Sequence, residues 1–331
     1  HGAGWDDPHN DRGIFVRLRS AAFLSALALS AVALAGCSGE PTPAETTPSA
    51  TAGATDLCAA ALASGASSEA VTVEGEPGEK PTIALDGELE ITTPERTVVS
   101  EGDGDPIELG QIIDYGLTVF DASTGEELQS IGYETPVLPE ALAMDSGTAQ
   151  LFGCAPVGSR IVATVPGQGE QQPATVYVID LLGNDTPTAA WGEPQEPVEG
   201  QPTVELADDG EPTITLPDAE PPAETEVTTL KAGDGAEVAS GDSVLVQYTG
   251  VKWSDGSVFD SSWERGAAAA MSTTGVVAGF QKALEGQKVG SQVLVTMPPA
   301  DGYGAAAEHE LAEETLTFVV DILASQSVPQ Q

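Results

Sequence analysis

Five side chains in the C-terminal third of the chain have the types from which a small binding pocket can be built: Tyr248, Phe259, Asp260, Phe280 and Tyr303. Aromatic rings supply apolar walls, and a carboxylate or a phenol hydroxyl supplies a fixed polar group. Such a cavity binds a largely apolar group and orients it with one or two hydrogen bonds. These residues therefore indicate the binding and orientation of a ligand.

Other chemistries lack the residues that they need. The chain has three histidines (His1, His9 and His309), two of them close to its first residue, so we expect no histidine-based metal site. The acidic run Glu101–Asp105 lacks the ligand spacing and the closing Glu of a calcium loop, and it predicts a turn. No G-x-S-x-G, phosphate-binding glycine loop or C-x-x-C occurs. We expect no metal and no cofactor.

Short strands are predicted to carry the pocket residues. Val244, Val246 and Tyr248 alternate along one face of a strand. The turn chemistry of Ser254–Gly256 ends it, and Val258–Asp260 begins a second short strand.

The elements that follow are a short helix within Val276–Ser291 closed by Gly286, a strand over Val293–Met297, a Gly-Tyr-Gly loop at 302–304 and a last strand over Leu316–Leu323. With the Tyr strand and the Phe-Asp pair, this order resembles an FKBP-type peptidyl-prolyl isomerase over the last third of the chain. The resemblance implies an α+β fold in which a curved antiparallel sheet wraps one short helix. It also implies catalysis of cis-trans isomerisation at the bond before proline.

The same resemblance implies a catalytic set of eight residues. Six of them are expected to line the pocket: Tyr248, Phe259, Val276, Val277, Phe280 and Phe318. Asp260 is expected at the pocket edge, and the Tyr303 hydroxyl and the Val277 backbone N–H are expected to donate to the substrate carbonyl.

Three further residues are implied as substrate-binding. Arg265 stands at the family position that pairs with the aspartate, so it should fix Asp260 and Tyr248. Leu311 is expected to be the aliphatic side chain of a flap, and Trp263 is expected at the pocket rim.

Two segments depart from the family pattern. Ala267–Ala270 replaces a second phenylalanine that many members carry, which should widen one wall of the pocket. Glu308–Ala312 replaces an Ile-Pro-type flap, and His309 within it is expected to be exposed. Both departures bear on substrate preference and rate.

Sequence motifs recur along the chain. P-T-I at 81–83 recurs at 212–214, and G-D-G at 102–104 recurs at 233–235, so both motifs are displaced by the same shift. V-G-S at 157–159 recurs at 289–291, and V-x-D-x-L at 178–182 recurs at 319–323. The repeat predicts two domains of one fold, each with one short helix and an extra strand pair at its start (Val71–Leu85 and Pro202–Leu216).

The first copy lacks the site residues. Leu117, Leu128 and Gln129 stand where the second copy has its tyrosine, phenylalanine and aspartate, and Tyr177 keeps only the position of Phe318. The segment Pro166–Thr175 is too short for a flap. We therefore expect a degenerate, inactive copy.

Residues 16–37 have the features of a bacterial lipoprotein signal. Arg17 and Arg19 precede an apolar segment over Ala21–Leu34 that is too short to span a membrane. Leu34–Cys37 resembles the lipobox, in which the cysteine thiol accepts the lipid. The alternative is an ordinary signal peptide with an incidental cysteine.

Two cysteines remain after Cys37. Pairing is favoured in an oxidising compartment, so we predict a Cys58–Cys154 disulfide that joins a short helix over Asp56–Ala63 to the first domain. The alternative is two buried free thiols.

The predicted order of the chain is a signal peptide over 1–36 (with 1–15 an untranslated upstream stretch in one interpretation), a lipidated Cys37 and disordered tether over 37–55, a degenerate FKBP-like domain over 56–183, a linker over 184–200, an FKBP-type isomerase domain over 201–325 and a tail over 326–331. The expected location is outside the cytoplasm, anchored by lipid to the cell membrane.

The net charge of −41 repels phosphates, so nucleic acid is not expected as a partner. The expected partners are Xaa-Pro segments of exported client proteins, and the membrane through the lipid on Cys37; the protein is expected to be a monomer. The expected function is prolyl isomerisation of exported proteins by the C-terminal domain. The alternative is a non-catalytic chaperone or peptide-binding lipoprotein that uses the same cavity.

Overall fold

The computed structural model describes residues 56–144, 146–169, 172–306 and 308–327. These residues form two large antiparallel sheets and two separate hairpins. The predicted signal peptide, Cys37 and the tether lie outside the described residues.

The first sheet comes from the N-terminal half of the described chain. Its strands are β3 (Glu95–Ser100), β4 (Ile112–Asp121), β5 (Glu127–Ile131), β6 (Glu140–Ala141), β7 (Arg160–Val165) and β8 (Thr175–Gly183). They follow a hairpin of β1 (Val71–Glu74) and β2 (Thr82–Leu85). The strand order is β3-β7-β8-β4-β5, and β6 pairs with the start of β4.

The second sheet follows the same plan. Its strands are β9 (Glu193–Pro194), β12 (Glu226–Ala232), β13 (Ser243–Lys252), β14 (Val258–Ser261), β15 (Ala269–Ser272), β16 (Gln292–Met297) and β17 (Leu316–Gln326). A hairpin of β10 (Thr203–Leu206) and β11 (Pro212–Thr215) precedes β12. The order is β14-β13-β17-β16-β12-β9, with β15 also paired to β13.

The repeat is visible strand by strand. The bounds of β13 are those of β4 moved by the shift that relates the two P-T-I motifs. The next strand also pairs in the same register in both sheets. Val119 of β4 pairs with Gln129 of β5, and the equivalent Gly250 of β13 pairs with Asp260 of β14. The extra strand pair at the start of each copy is confirmed as a hairpin.

Helices are few and short. They are α1 (Leu57–Ala60), α2 (Ala66–Glu69), α3 (Gly147–Phe152) and α4 (Ala278–Leu284). The expectation of one helix per copy is right for the second copy and wrong for the first, where α2 was not predicted. The predicted helix Asp56–Ala63 is shorter in the structure because Ala61 leaves the helical region, with a ψ of 140°.

Apolar residues alternate along the strands of the second sheet, so one face is apolar. The buried apolar side chains on this face of β13, β16 and β17 are Val244, Val246, Tyr248, Val293, Val295, Met297, Leu316, Phe318, Val320 and Ile322. Helix α4 packs on them through Phe280, Ala283 and Leu284. This face is called the inner face below. A pocket on it is lined by apolar side chains and can exclude water.

A buried aspartate occupies equivalent positions on the other face of the two sheets. Asp180 accepts hydrogen bonds from the Arg160 guanidinium at 2.6 and 2.7 Å and from the Gly78 N–H at 2.9 Å. Asp321 accepts from the Gln292 amide and the Ala190 N–H, both at 2.8 Å. Burial raises the pKa of Asp321. Each carboxylate fastens a neighbouring segment to its sheet.

The predicted linker 184–200 is fastened in this way and is not a free connection. Besides the bond from Ala190, it contains β9, which pairs with the edge of β12. The Trp191 indole donates to Asp234 at 3.2 Å. The proline content of the segment predicts a linker but not its docking, in which the N–H groups of Ala190, Gly192 and Gln195 donate to the second sheet and to the turn before β16.

Apolar side chains also join the two sheets, which belong to one compact unit. Ile112 of the first sheet and Leu245 and Leu323 of the second are each about 1% exposed and form one cluster. Strand β17 continues to Gln326, the first residue of the predicted tail, and its side-chain oxygen accepts from the Leu138 N–H at 3.1 Å.

Cys58 and Cys154 form a disulfide across 96 residues of sequence. It joins α1 to the end of α3. In the chain-entropy model, closing a loop of this length stabilises the fold by about 4–5 kcal/mol. Among the described residues, no helix is long and apolar enough to cross a membrane.

The buried Arg160–Asp180 pair should matter far more to stability than an exposed pair. Arg160 also donates to the carbonyls of Gly75, Glu76 and Glu79. We expect Arg160→Met to lower the free energy of unfolding by about 3–5 kcal/mol, since it leaves a buried carboxylate without its cation. Chemical denaturation measures the change.

The matched control is Lys80→Met, because Lys80 pairs with Glu127 at 2.8 Å while both side chains are more than a third exposed (47% and 37%). That variant should lose about 0–1 kcal/mol. Equal losses in the two variants would contradict the assignment of Arg160 as a structural anchor.

Candidate functional site

Four aromatic rings meet on the inner face of the second sheet. Phe318 lies 5.1 Å from Phe280, 5.4 Å from Phe259 and 6.2 Å from Tyr248, measured between ring centroids. The rings meet edge to face, at interplanar angles of 60–89°. This is a favoured geometry because the positive edge of one ring faces the negative face of the next.

Two glycines allow this close packing. Gly250 pairs with Phe318 across β13 and β17, and a Cβ added to Gly250 would lie 2.5 Å from the Phe318 ring. A Cβ added to Gly279 in α4 would lie 2.6 Å from Met297 of β16. Because these positions are glycine, the Phe318 ring can pack on the backbone of β13, and the backbone of α4 can pack on Met297. This explains why a glycine precedes Phe280 in the run Val276–Phe280.

A polar network closes one edge of the ring cluster. The Tyr248 hydroxyl donates to Asp260 at 2.7 Å and accepts from Arg265 at 2.7 Å. Arg265 also forms an ion pair with Asp260. The guanidinium carbon lies 5.2 Å from the centre of the Tyr248 ring, within the range of a cation–π contact.

The network orients side chains more than it stabilises the fold. The side chains of Arg265 and Asp260 are 49% and 40% exposed, and exposed ion pairs contribute little to stability. Burial raises the pKa of Tyr248 to about 12, the Asp260 carboxylate contributes to the rise and Arg265 opposes it. Tyr248 therefore stays a neutral donor that fixes the direction of the carboxylate.

The turn before α4 supplies a backbone donor. Val277 is the residue before the helix, with φ −63° and ψ 150°. Its N–H has no hydrogen-bond partner within the described residues. The N–H is thus available to a ligand carbonyl.

Tyr303 lies in the Gly-Tyr-Gly loop. The loop follows a 3₁₀ turn (Pro299–Asp301) and is closed by the Gly304 N–H, which donates to the Pro299 carbonyl at 2.7 Å. Asp301 accepts from Lys282 of α4 at 2.7 Å, which ties the loop to the helix.

These groups surround a cavity of about 240 Å³. Its lining residues are Tyr248, Asp260, Met271, Gly275, Val276, Val277, Phe280, Tyr303 and Phe318. A larger cavity, of about 420 Å³, lies beside the disulfide, but none of its described lining residues is aromatic. Convergent rings and polar groups, rather than size, single out the smaller one.

Seven of the eight residues in the predicted catalytic set line this cavity. The eighth, Phe259, is not among the lining residues, and its ring packs against that of Phe318. Two lining residues, Met271 and Gly275, were not predicted. Met271 could have been found from alternation, because in β15 it lies two residues after the partly buried Ala269.

The three predicted substrate-binding residues are placed differently. Arg265 holds Tyr248 and Asp260, as expected. Leu311 is 4% exposed and belongs to the apolar core, not to the cavity wall. Trp263 lies near Gly210 in the turn between β10 and β11, away from the cavity. No group of three His, Cys, Asp or Glu side chains among the described residues is placed to hold a metal ion.

The corresponding positions of the first copy carry other residues. Gln129 has the strand position of Asp260, and Leu128 beside it is 53% exposed. Ala149, in α3, has the position of Phe280 under the shift of the repeat, and it is fully buried. A ring cluster of the kind seen in the second copy cannot form from these side chains.

Comparison with known proteins points to one family. A model of the FKBP-type peptidyl-prolyl cis-trans isomerase family matches residues 235–323. A probable FK506-binding protein from Corynebacterium glutamicum is 36% identical over 105 residues, which are 31% of this chain and 89% of that protein. An FK506-binding protein from Streptomyces anulatus is 35% identical over 113 residues, 33% of this chain and 91% of that protein.

Among solved structures, that of FkpA from Escherichia coli is 26% identical to this chain, with a TM-score of 0.31. The likeness covers 40% of this chain and 54% of that one.

The pKa of Tyr248 should respond in opposite directions to its two polar neighbours. Asp260→Asn removes the negative charge that disfavours the phenolate, so the pKa should fall from about 12. Arg265→Met removes the positive charge that favours the phenolate, so the pKa should rise. Alkaline titration of the phenol, followed by NMR, measures both, and shifts of the same sign would contradict the network.

The segment matched by the family model contains β13–β16, α4, most of β17 and every residue that lines the cavity. The Corynebacterium protein is matched over 89% of its own length. The chain belongs to the family of FKBP-type peptidyl-prolyl cis-trans isomerases.

Proposed function

We propose that the second copy, over 201–325, isomerises Xaa-Pro bonds of exported proteins outside the cytoplasm and that the first copy is inactive. The observation that carries the proposal is the convergence of Tyr248, Phe280, Phe318 and Tyr303 on one cavity that also receives the Val277 turn.

The reaction requires rotation about an amide bond and no bond breaking. Amide resonance sets a barrier of about 18–20 kcal/mol. Resonance gives the planar amide a large dipole, which water stabilises, whereas the twisted amide is less polar. A proline ring held among Tyr248, Phe280 and Phe318 leaves water behind, and this disfavours the planar state relative to the twisted one.

Two donors can hold the substrate in a bent geometry. The Val277 N–H and the Tyr303 hydroxyl have no partners within the described residues, and both residues line the cavity. A hydrogen bond to a substrate carbonyl that strengthens as the imide twists lowers the barrier. A contribution of about 0.5–1.5 kcal/mol from one bond corresponds to about a two- to tenfold change in rate.

The Asp260 carboxylate lies at the cavity edge, fixed by Tyr248 and Arg265. A fixed negative group there favours the approach of a substrate carbonyl carbon or backbone N–H and repels a misplaced carbonyl oxygen. Its role is to orient the substrate electrostatically, and the substrates of the proposed enzyme are Xaa-Pro segments of unfolded clients.

The location rests on two features. Residues 16–37 resemble a lipoprotein signal, and Cys58 and Cys154 are joined in a disulfide, which persists in oxidising compartments. We therefore place the protein outside the cytoplasm, held to the cell membrane by lipid on Cys37 and acting as a monomer.

A non-catalytic role in holding clients is the second candidate. It is favoured by the small side chains of Ala267–Ala270 and by the exposure of Leu128 on the first copy (53%). The two candidates differ in turnover. A holdase suppresses aggregation of unfolded clients without accelerating isomerisation.

Activity should depend on the second copy alone. In the full chain, we expect Asp260→Ala and Tyr303→Phe to lower kcat/KM for an Xaa-Pro peptide about three- to tenfold, because each removes a polar group that orients the substrate. The matched control is Gln129→Ala at the equivalent position of the first copy, which should stay within about twofold of the wild type. A protease-coupled assay measures the rates, and a wild-type chain without activity would favour the holdase.

Membrane attachment should depend on Cys37. Cys37→Ala removes the thiol that would carry the lipid, so the protein should leave the membrane fraction while its isomerase activity is unchanged. Fractionation and incorporation of a labelled fatty acid test this, and a variant that stays in the membrane fraction would contradict lipid anchoring.

A further inference from the structure

Tyr303 is held differently from the other aromatic residues of the cavity. Tyr248, Phe280 and Phe318 pack edge to face against one another. The Tyr303 ring instead stacks on the His309 imidazole, with centroids 4.1 Å apart and planes within 2°. Within the described residues this is its one aromatic contact.

His309 is itself fixed at its other edge. The Leu311 N–H donates to His309 Nδ1 at 3.1 Å. Leu311 is 4% exposed and packs in the core of the second copy. Although His309 is exposed, its ring is therefore tied through Leu311 to a part of the fold that does not move easily.

The stack covers one face of the ring of Tyr303, a residue that lines the cavity. The Tyr303 hydroxyl has no hydrogen-bond partner within the described residues, so it exerts no pull of its own on the ring. The loop that carries Tyr303 is fixed at its base by Asp301 and Lys282, but these contacts do not act on the ring. The Tyr303 ring also packs against the apolar core of the second copy, and His309 supplies the flat surface on which it stacks.

We propose that His309 is a positioning residue that sets the Tyr303 ring so that its hydroxyl faces the substrate carbonyl, a role that rests on the function proposed above. The contacts run from Leu311 in the core to His309 through a hydrogen bond, and from His309 to Tyr303 through the ring stack. His309 touches no reacting atom and acts only through Tyr303.

A double-mutant cycle tests this directly. Three variants are compared in the full chain: His309→Ala, which removes the stack; His309→Phe, which keeps a flat ring; and Tyr303→Phe, which removes the hydroxyl. His309→Ala should lower kcat/KM about three- to tenfold, as Tyr303→Phe does, because both deprive the substrate of the same hydrogen bond. His309→Phe keeps the flat ring but loses the Nδ1 acceptor of the Leu311 N–H, so its activity should lie between those of His309→Ala and the wild type.

The decisive measurement is kcat/KM of His309→Ala in the Tyr303→Phe background. There, His309→Ala should lower kcat/KM no further. A general structural role would lower the rate by the same factor in both backgrounds, and this result would overturn the proposal. It is likewise overturned if His309→Ala is silent, or if His309→Phe loses as much activity as His309→Ala. Glu310→Gln, an exposed neighbour, is the matched control and should be unchanged.

A second readout does not depend on turnover. In NMR spectra, the Tyr303 ring resonances should lose their ring-current shift in His309→Ala and keep it in His309→Phe. If the wild-type chain had no isomerase activity, the proposed function would fail, and these resonances would still show whether His309 sets the ring. Unchanged resonances in His309→Ala would overturn the proposal whatever the activity.

Discussion

The contact between the Phe318 ring and the backbone of Gly250 is the constraint on which the site depends. The register of β13 and β17 places the two residues opposite each other, and the missing side chain leaves room for the ring. Phe318 in turn contacts Tyr248, Phe259 and Phe280, so its position sets the wall of the cavity. The polar edge formed by Asp260 and Arg265 is placed through Tyr248, because both bind its hydroxyl or ring.

Much of this arrangement was accessible from sequence because strands alternate with a period of two. Val244, Val246 and Tyr248 had to share a face, and the constant shift between the P-T-I and G-D-G motifs aligns one copy on the other without any coordinates. The placement of Arg265 against Tyr248 and Asp260 came from the family resemblance, since no periodicity links a loop residue to a strand.

Sequence reasoning is weakest for segments without periodicity. Trp263 and Leu311 lie in irregular segments, where an apolar side chain can turn equally to the core, the cavity or a neighbouring hairpin. The proline content of 184–200 indicates a linker, yet its backbone amide at Ala190 finds a buried acceptor on the second sheet. Hydrogen bonds of that kind join residues distant in sequence, so composition does not reveal them.

The two sheets share a buried aspartate at equivalent positions, although only the second sheet carries the ring cluster. Asp180 is satisfied by a guanidinium and Asp321 by an amide, but each also accepts a backbone N–H from a segment outside the sheet. Removing the partner of a buried carboxylate is costly because it leaves an uncompensated buried charge. In both sheets the aspartate therefore holds a segment from outside the sheet, although the two segments differ.

The cluster of Ile112, Leu245 and Leu323 has a practical consequence for handling the protein. Separating the two sheets by truncation would expose the apolar side chains of this cluster to water on both fragments. Exposed apolar surfaces associate with one another. Truncated versions are therefore expected to aggregate, because each sheet covers apolar surface of the other.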